Sequence, residues 1–239
     1  MRLSTLAAKY WMALTGFVLV SFVIGHLLGN LQVFAGPEKL NSYAKWLKDL
    51  GPLLWLARAG LLAAFVLHIY LAFLLTARNR AARPVAYQRE RTLRASTPSR
   101  FMLLSGLVIL AFVIFHIAHY TLGLVQSATL AEPGGATRQI SLLDLRDANG
   151  HHDVYGMVIH EFRQWPMVLL YVVAQLLLAA HLYHGASSMF QSLGINQPRY
   201  NWLLEKVGLF VAVLVGGGNL LIPLAVLFRF VGADYVPKL

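Results

Sequence analysis

Leu14-Thr-Gly-Phe-Val-Leu-Val-Ser-Phe-Val-Ile-Gly-His26 ends a largely apolar run on one imidazole, and Leu104-Ser-Gly-Leu-Val-Ile-Leu-Ala-Phe-Val-Ile-Phe-His116 repeats it at an offset of 90. Gly16 and Gly106 each precede their histidine by ten residues, and Phe22 and Phe112 by four. The two copies lie in apolar stretches, 11–35 and 101–126. Spanning a hydrocarbon layer of ~30 Å takes about 20 apolar residues in a helix. Three further stretches qualify, at 53–77, 166–191 and 207–230. Helices of this kind satisfy their backbone internally in lipid. The sequence therefore reads as an all-α integral membrane protein, with five transmembrane helices in one domain over 1–239. A cleaved leader is the alternative for the first stretch. Its apolar run is too long, and no small-x-small site ends it.

Composition agrees. The chain is 58% apolar and only 13% charged, about half the charged share of a soluble domain. With the N-terminus inside, segments 1–10, 78–100 and 192–206 hold eleven Lys and Arg against Glu90 and Glu205, a balance of +9. The rest of the chain contributes +1 of the total +10. The positive-inside rule then puts the N-terminus in the cytoplasm and the C-terminus outside, in the cell's inner (cytoplasmic) membrane. The seven arginines of 78–100 read as a solvated loop that touches anionic lipid or an acidic partner, not as a nucleic-acid patch. Cysteine is absent, which excludes disulfides, iron–sulfur ligation and covalent haem attachment. No G-x-G-x-x-G turn follows a strand, so no dinucleotide site is visible.

The histidines carry the chemistry. His26, His68, His116 with His119, and His181 with His184 lie in the first four spans; His151, His152 and His160 lie in the outer loop. Ionisable groups within spans are expensive and mark function by default. His26, His68, His116 and His181 each sit about 14 residues into their span, ~21 Å along it. Helices one and three run outward, so His26 and His116 share the outer half. Helices two and four run inward, so His68 and His181 share the inner half. Two ligands at one depth on different helices are what a haem with two axial imidazoles needs. Two non-covalent b haems follow, an outer one on His26/His116 and an inner one on His68/His181, at depths ~12 Å apart. The repeat implies a pseudo-twofold axis within a four-helix, haem-binding bundle. A weaker match supports it, His68-Ile-Tyr-Leu-Ala against His181-Leu-Tyr-His-Gly. His119 and His184 have no counterparts in the repeat and suit a haem propionate or a quinone oxygen better than iron. Gly16 and Gly106 would let the flat macrocycle approach the helices; plain helix packing explains them equally well.

These residues resemble the dihaem, five-helix cytochrome b anchor of succinate dehydrogenase and fumarate reductase, over nearly the whole chain. The most specific part is His181-Leu-Tyr-His-Gly-Ala-Ser-Ser-Met-Phe-Gln-Ser-Leu-Gly194. Gly25-His26, Leu67-His68 and Phe115-His116 fall at that family's ligand positions, and Asp153-Val-Tyr-Gly-Met157 is similar to its outer-loop run. The resemblance implies a quinone-reactive membrane subunit with no catalytic residue for dicarboxylates. That chemistry would belong to a flavoprotein partner, with an iron–sulfur protein docked on the cytoplasmic face. The exchangeable substrate would be a membrane quinone, menaquinone by expectation.

Two axial imidazoles leave no open iron position for oxygen. No charged residue lies deep in a span, as a proton pump or ion transporter would need. The family's proton-coupled members carry a carboxylate beside the fourth ligand; here that place is Ala179-Ala180. For the quinone, the outer loop offers His152, Asp153 and Tyr155 beside His160 and Glu161, with a site near Lys9 and Trp11 as the alternative. Other readings of the chain are the dihaem cytochrome b of a hydrogenase or formate dehydrogenase, and a haem-free transporter.

Overall fold

The computed structural model describes residues 3–82, 101–125, 127–131, 137–195 and 197–235. The arginines of 83–100, on which much of the charge asymmetry rests, lie outside them. Among the described residues, five helical spans of 20 to 31 residues are long and apolar enough to cross a membrane. The first span comprises α1 (Thr5–Asn30) and a tight 3₁₀ turn, Leu31–Ala35. It starts earlier than apolarity alone suggests, because the Ser4 hydroxyl accepts from the Ala7 amide at 3.1 Å and caps the first turn. Gly36, at a φ of 94°, then turns the chain into α2 (Pro37–Asp49). This helix is not part of the sequence reading, since it is short and amphipathic. The second and third spans are α3 (Pro52–Ala81) and α4 (Met102–His116).

Helix α4 widens into a π turn, Ile117–Thr121. Gly123, at a φ of 62°, stops it short of the expected end at 126. Between the third and fourth spans, β1 (Ser127–Ala131) pairs antiparallel with β2 (Thr137–Ser141), Ser127 opposite Ser141. Helix α5 (Val154–Phe162) follows, and both the hairpin and α5 are additions to the expected loop. The last spans are α6 (Trp165–Ser192) and α7 (Asn201–Leu227).

Large apolar side chains on these helices are exposed, Trp55 at 67% and Phe210 at 65% among them. Apolar surface on that scale belongs against lipid. The chain is a multi-pass membrane protein.

The chain forms two compact units, each drawing on all five long helices. The first contains Met1–Gly25, Trp55–Leu107 and Leu177–Gly216; the second contains His26–Leu54, Val108–Leu176 and Gly217–Leu239. In the first unit, Leu182 and Ala186 of α6 pack on Val211 and Val215 of α7, against Val20 and Val23 of α1. In the second, Leu40 of α2, Ile159 and Phe162 of α5, Tyr171 of α6 and Val226 of α7 share a core. Close crossings need small residues. A Cβ at Gly218 would stand 2.8 Å from Leu27 Cδ2, and one at Gly208 would overlap the Tyr183 carbonyl and the Ser187 hydroxyl.

Candidate functional site

In the first unit, His68 of α3 and His181 of α6 are each held from behind by a hydroxyl. Thr15 Oγ1 lies 3.1 Å from His68 Nδ1, and Ser105 Oγ lies 3.1 Å from His181 Nδ1. The Thr15 hydroxyl has backbone acceptors in the preceding turn, Trp11 O at 2.8 Å and Met12 O at 3.1 Å. Ser105 has Met102 O at 3.2 Å. With each hydroxyl proton directed at a carbonyl, the oxygen is left to accept Nδ1–H. That tautomer leaves the Nε2 lone pair free, the form in which a neutral imidazole ligates a metal. The glycines of the repeat hold matching places. A Cβ at Gly16 would lie 3.6 Å from His68 Cε1, and one at Gly106 would lie 3.6 Å from His181 Cε1. Both rings thus stand beside a glycine, with ordinary contact distance to spare. His184, a turn further along α6, is half-buried.

In the second unit, His26 of α1 and His116 of α4 have ring centroids 5.8 Å apart at 85°. Two imidazoles on opposite sides of one metal, each with an N–metal bond of about 2.0–2.1 Å, have centroids roughly 6 Å apart. The centroid separation of His26 and His116 is close to that spacing. Phe112 stacks on His116 at 29°. Behind His116 stands Tyr171, whose hydroxyl lies 3.1 Å from His116 Nδ1 and 2.8 Å from His119 Nδ1. His119 Nε2 in turn meets Glu161 Oε2 at 2.8 Å. His119 and Glu161 are almost wholly buried, at 0% and 2% exposed. With both ring nitrogens taken by protein, His119 has none to offer a propionate or a quinone oxygen. A different group fills that description. The Tyr120 hydroxyl is buried with no partner among the described residues, and its ring lies 5.6 Å from that of His116.

Of the quinone candidates, Asp153 and Tyr155 share the partners Asn41 and Tyr235, and His152 lines a cavity without them. Asp153 is fully buried and caps α5. Its Oδ1 accepts from the Gly156 amide and from Asn41 Nδ2, both at 2.9 Å, and its Oδ2 accepts from the Tyr235 hydroxyl at 2.6 Å. Tyr155 is buried too; its amide donates to Asn41 Oδ1 at 2.9 Å, and its ring packs edge-on to Tyr235. Asn41 is therefore the peg that joins α2 to α5. Burial raises the phenol pKa of Tyr235, and the bond to Asp153 raises it further. Burial likewise raises that of Tyr155.

His152 lines a separate cavity of about 160 Å³ with Lys48, Asp49 and His151. Ligand pockets are commonly ~300–1,000 Å³, and this one lies below that range. Burial, then Lys48 and Arg146, lower the His152 pKa. Glu161, a neighbour of these residues in sequence, belongs instead to the His119–Tyr171 chain.

Thr15, Ser105, Tyr171, Tyr120, Asn41 and Tyr235 are absent from the sequence candidates. Only the first two carried a signal there, as aligned hydroxyls in the repeat. Among the described residues, no three or more His, Cys, Asp or Glu gather as a metal-binding group. No protein family, curated protein or solved structure matches the chain.

Proposed function

We propose that the chain is the membrane-anchor cytochrome b of a succinate dehydrogenase or fumarate reductase, passing electrons between a cytoplasmic iron–sulfur subunit and membrane quinone through two b haems. The observation that carries the haem reading is the arrangement of the four span histidines. His68 and His181 each have Nδ1 held by a hydroxyl, and the rings of His26 and His116 lie 5.8 Å apart, centroid to centroid. The succinate assignment rests on the resemblance of residues 181–194.

A bound b haem supplies one-electron storage at an iron with no open position. The residues of the chain do the rest. His26, His116, His68 and His181 would hold the two haems, Thr15 and Ser105 would fix two of the tautomers, and Gly16 and Gly106 stand beside the His68 and His181 rings. Tyr120 is the candidate donor to a propionate beside His116. The basic segments face the cytoplasm in this reading and receive the iron–sulfur and flavoprotein subunits, which carry the dicarboxylate chemistry.

The test is purification in mild detergent, with haem counted per chain and the co-purifying subunits identified. Two haems per chain are expected, together with a succinate-oxidising flavoprotein. His68→Ala should remove one haem and spare the other. A single haem in the intact protein refutes the pairing, and a colourless protein refutes the cytochrome. A hydrogenase or formate dehydrogenase partner would reassign the complex.

A further inference from the structure

We propose that Glu161 is a positioning residue for the axial ligand His116, acting through His119 and Tyr171 as the anionic end of a buried hydrogen-bond chain. The inference rests on the haem reading above and extends it. The atoms run in an unbroken line: Glu161 Oε2 to His119 Nε2 at 2.8 Å, His119 Nδ1 to the Tyr171 hydroxyl at 2.8 Å, and that hydroxyl to His116 Nδ1 at 3.1 Å.

Ligation fixes the direction of every proton along it. If His116 binds iron through Nε2, its one ring proton is on Nδ1, and the Tyr171 oxygen must accept it. Tyr171 then has its own proton to give, and it goes to Nδ1 of a neutral His119. The proton of His119 is left on Nε2 and is donated to Oε2 of Glu161, a carboxylate in this proposal. All the donors point one way, towards the acid. Metal-bound histidines are commonly backed by a carboxylate, which orients the ring and raises its basicity. Here the carboxylate acts through two intervening rings.

The contrast with the first unit sharpens the expectation. His68 and His181 are backed by aliphatic hydroxyls whose chains end on backbone carbonyls, with no charge. His116 is backed by a chain ending in an acid that is 2% exposed, where solvent screens it little. A negative charge at the end of the chain favours the oxidised, more positive iron on His116. Removing the charge should favour the reduced form of that haem alone.

Glu161→Gln keeps an acceptor oxygen for His119 Nε2–H and removes the charge. Tyr171→Phe cuts the chain in the middle and keeps the ring that packs on Phe112 and Phe162. Potentiometric titration of the purified holoprotein, followed in the haem absorption bands, resolves the two components. In each single variant one component should shift about tenfold towards reduction, about 59 mV for one electron, with the other unmoved. The shifted component should be the one His26→Ala removes. The double variant should shift by less than the sum of the two single shifts, because both substitutions act on one hydrogen-bond chain.

Unchanged potentials in both single variants, an equal shift of both components, or additive shifts in the double variant would each overturn the relay. If Glu161→Gln fails to assemble, Tyr171→Phe decides the matter by the same readout. A wild-type protein without two haems overturns the proposed function itself, which is a separate and visible result.

Discussion

Thr15→Val replaces a hydroxyl with a methyl of nearly the same shape, and what it removes is the acceptor 3.1 Å from His68 Nδ1. The carbonyl of Trp11, which the hydroxyl also bonds, keeps its helical amide partner, so α1 itself should be little affected. The loss therefore concentrates on His68. Leaving a buried donor without a partner costs about 1–3 kcal/mol. That corresponds to the roughly 10–100-fold loss of metal affinity seen when a histidine's outer partner is removed. Thr15→Ser should behave as wild type. The assay is haem per chain after extended dilution in detergent, with the two components identified by their loss in His68→Ala and in His26→Ala. Thr15→Val should release the haem that depends on His68 and retain the other. Ser105→Ala, acting on His181, should release the same haem. Full retention in Thr15→Val would refute the argument that the hydroxyl holds the ligating tautomer. Release of different haems by Thr15→Val and Ser105→Ala would refute the pairing of His68 with His181.

Two further outcomes concern the second unit. Asp153→Ala removes an N-cap worth about 1 kcal/mol and strands the buried Asn41 amide, for about 1–3 kcal/mol more. Thermal unfolding in detergent should therefore show a loss of about 2–4 kcal/mol. An Asp153→Asn variant of unchanged stability that no longer reacts with quinone would return Asp153 to the quinone site. The folded protein holds the phenolic proton of Tyr235 more tightly than the unfolded chain does, through burial and its bond to Asp153. That stabilisation is complete below the ordinary tyrosine value of about 10 and is lost as pH rises through the raised one. Tyr235→Phe should flatten this alkaline limb of stability against pH, and an unaltered limb would show that another group governs it.

The membrane class and the candidate ligands were legible in the residues alone, because neither depends on what packs against what. A span announces itself by some twenty apolar residues in a row, and an imidazole inside one stands out against Leu, Val and Phe. The spacing of His26 and His116 from the starts of their spans already suggested a common depth, since the rise of a helix is constant. The ends of the helices were less legible. Ser4 caps α1 seven residues before the apolar run, and Gly123 halts the third span early. Helices α2 and α5 were missed because each is too short to carry a hydropathy signal.

What only the tertiary structure decided is which group backs each histidine. Thr15 is 53 residues from His68, Ser105 is 76 from His181, and Asn41 is 112 from Asp153. Periodicity states which face of a helix a residue occupies, but not what lies opposite that face. The outer-loop cluster shows the consequence. His152, Asp153, Tyr155 and Glu161 are neighbours in sequence and were read as one polar site. Asp153 caps α5 and turns to Asn41, Glu161 near the far end of the helix turns to His119, and His152, ahead of the helix, opens on a cavity of its own. Adjacency along the chain grouped them, and the turn of α5, packed against other elements, divided them.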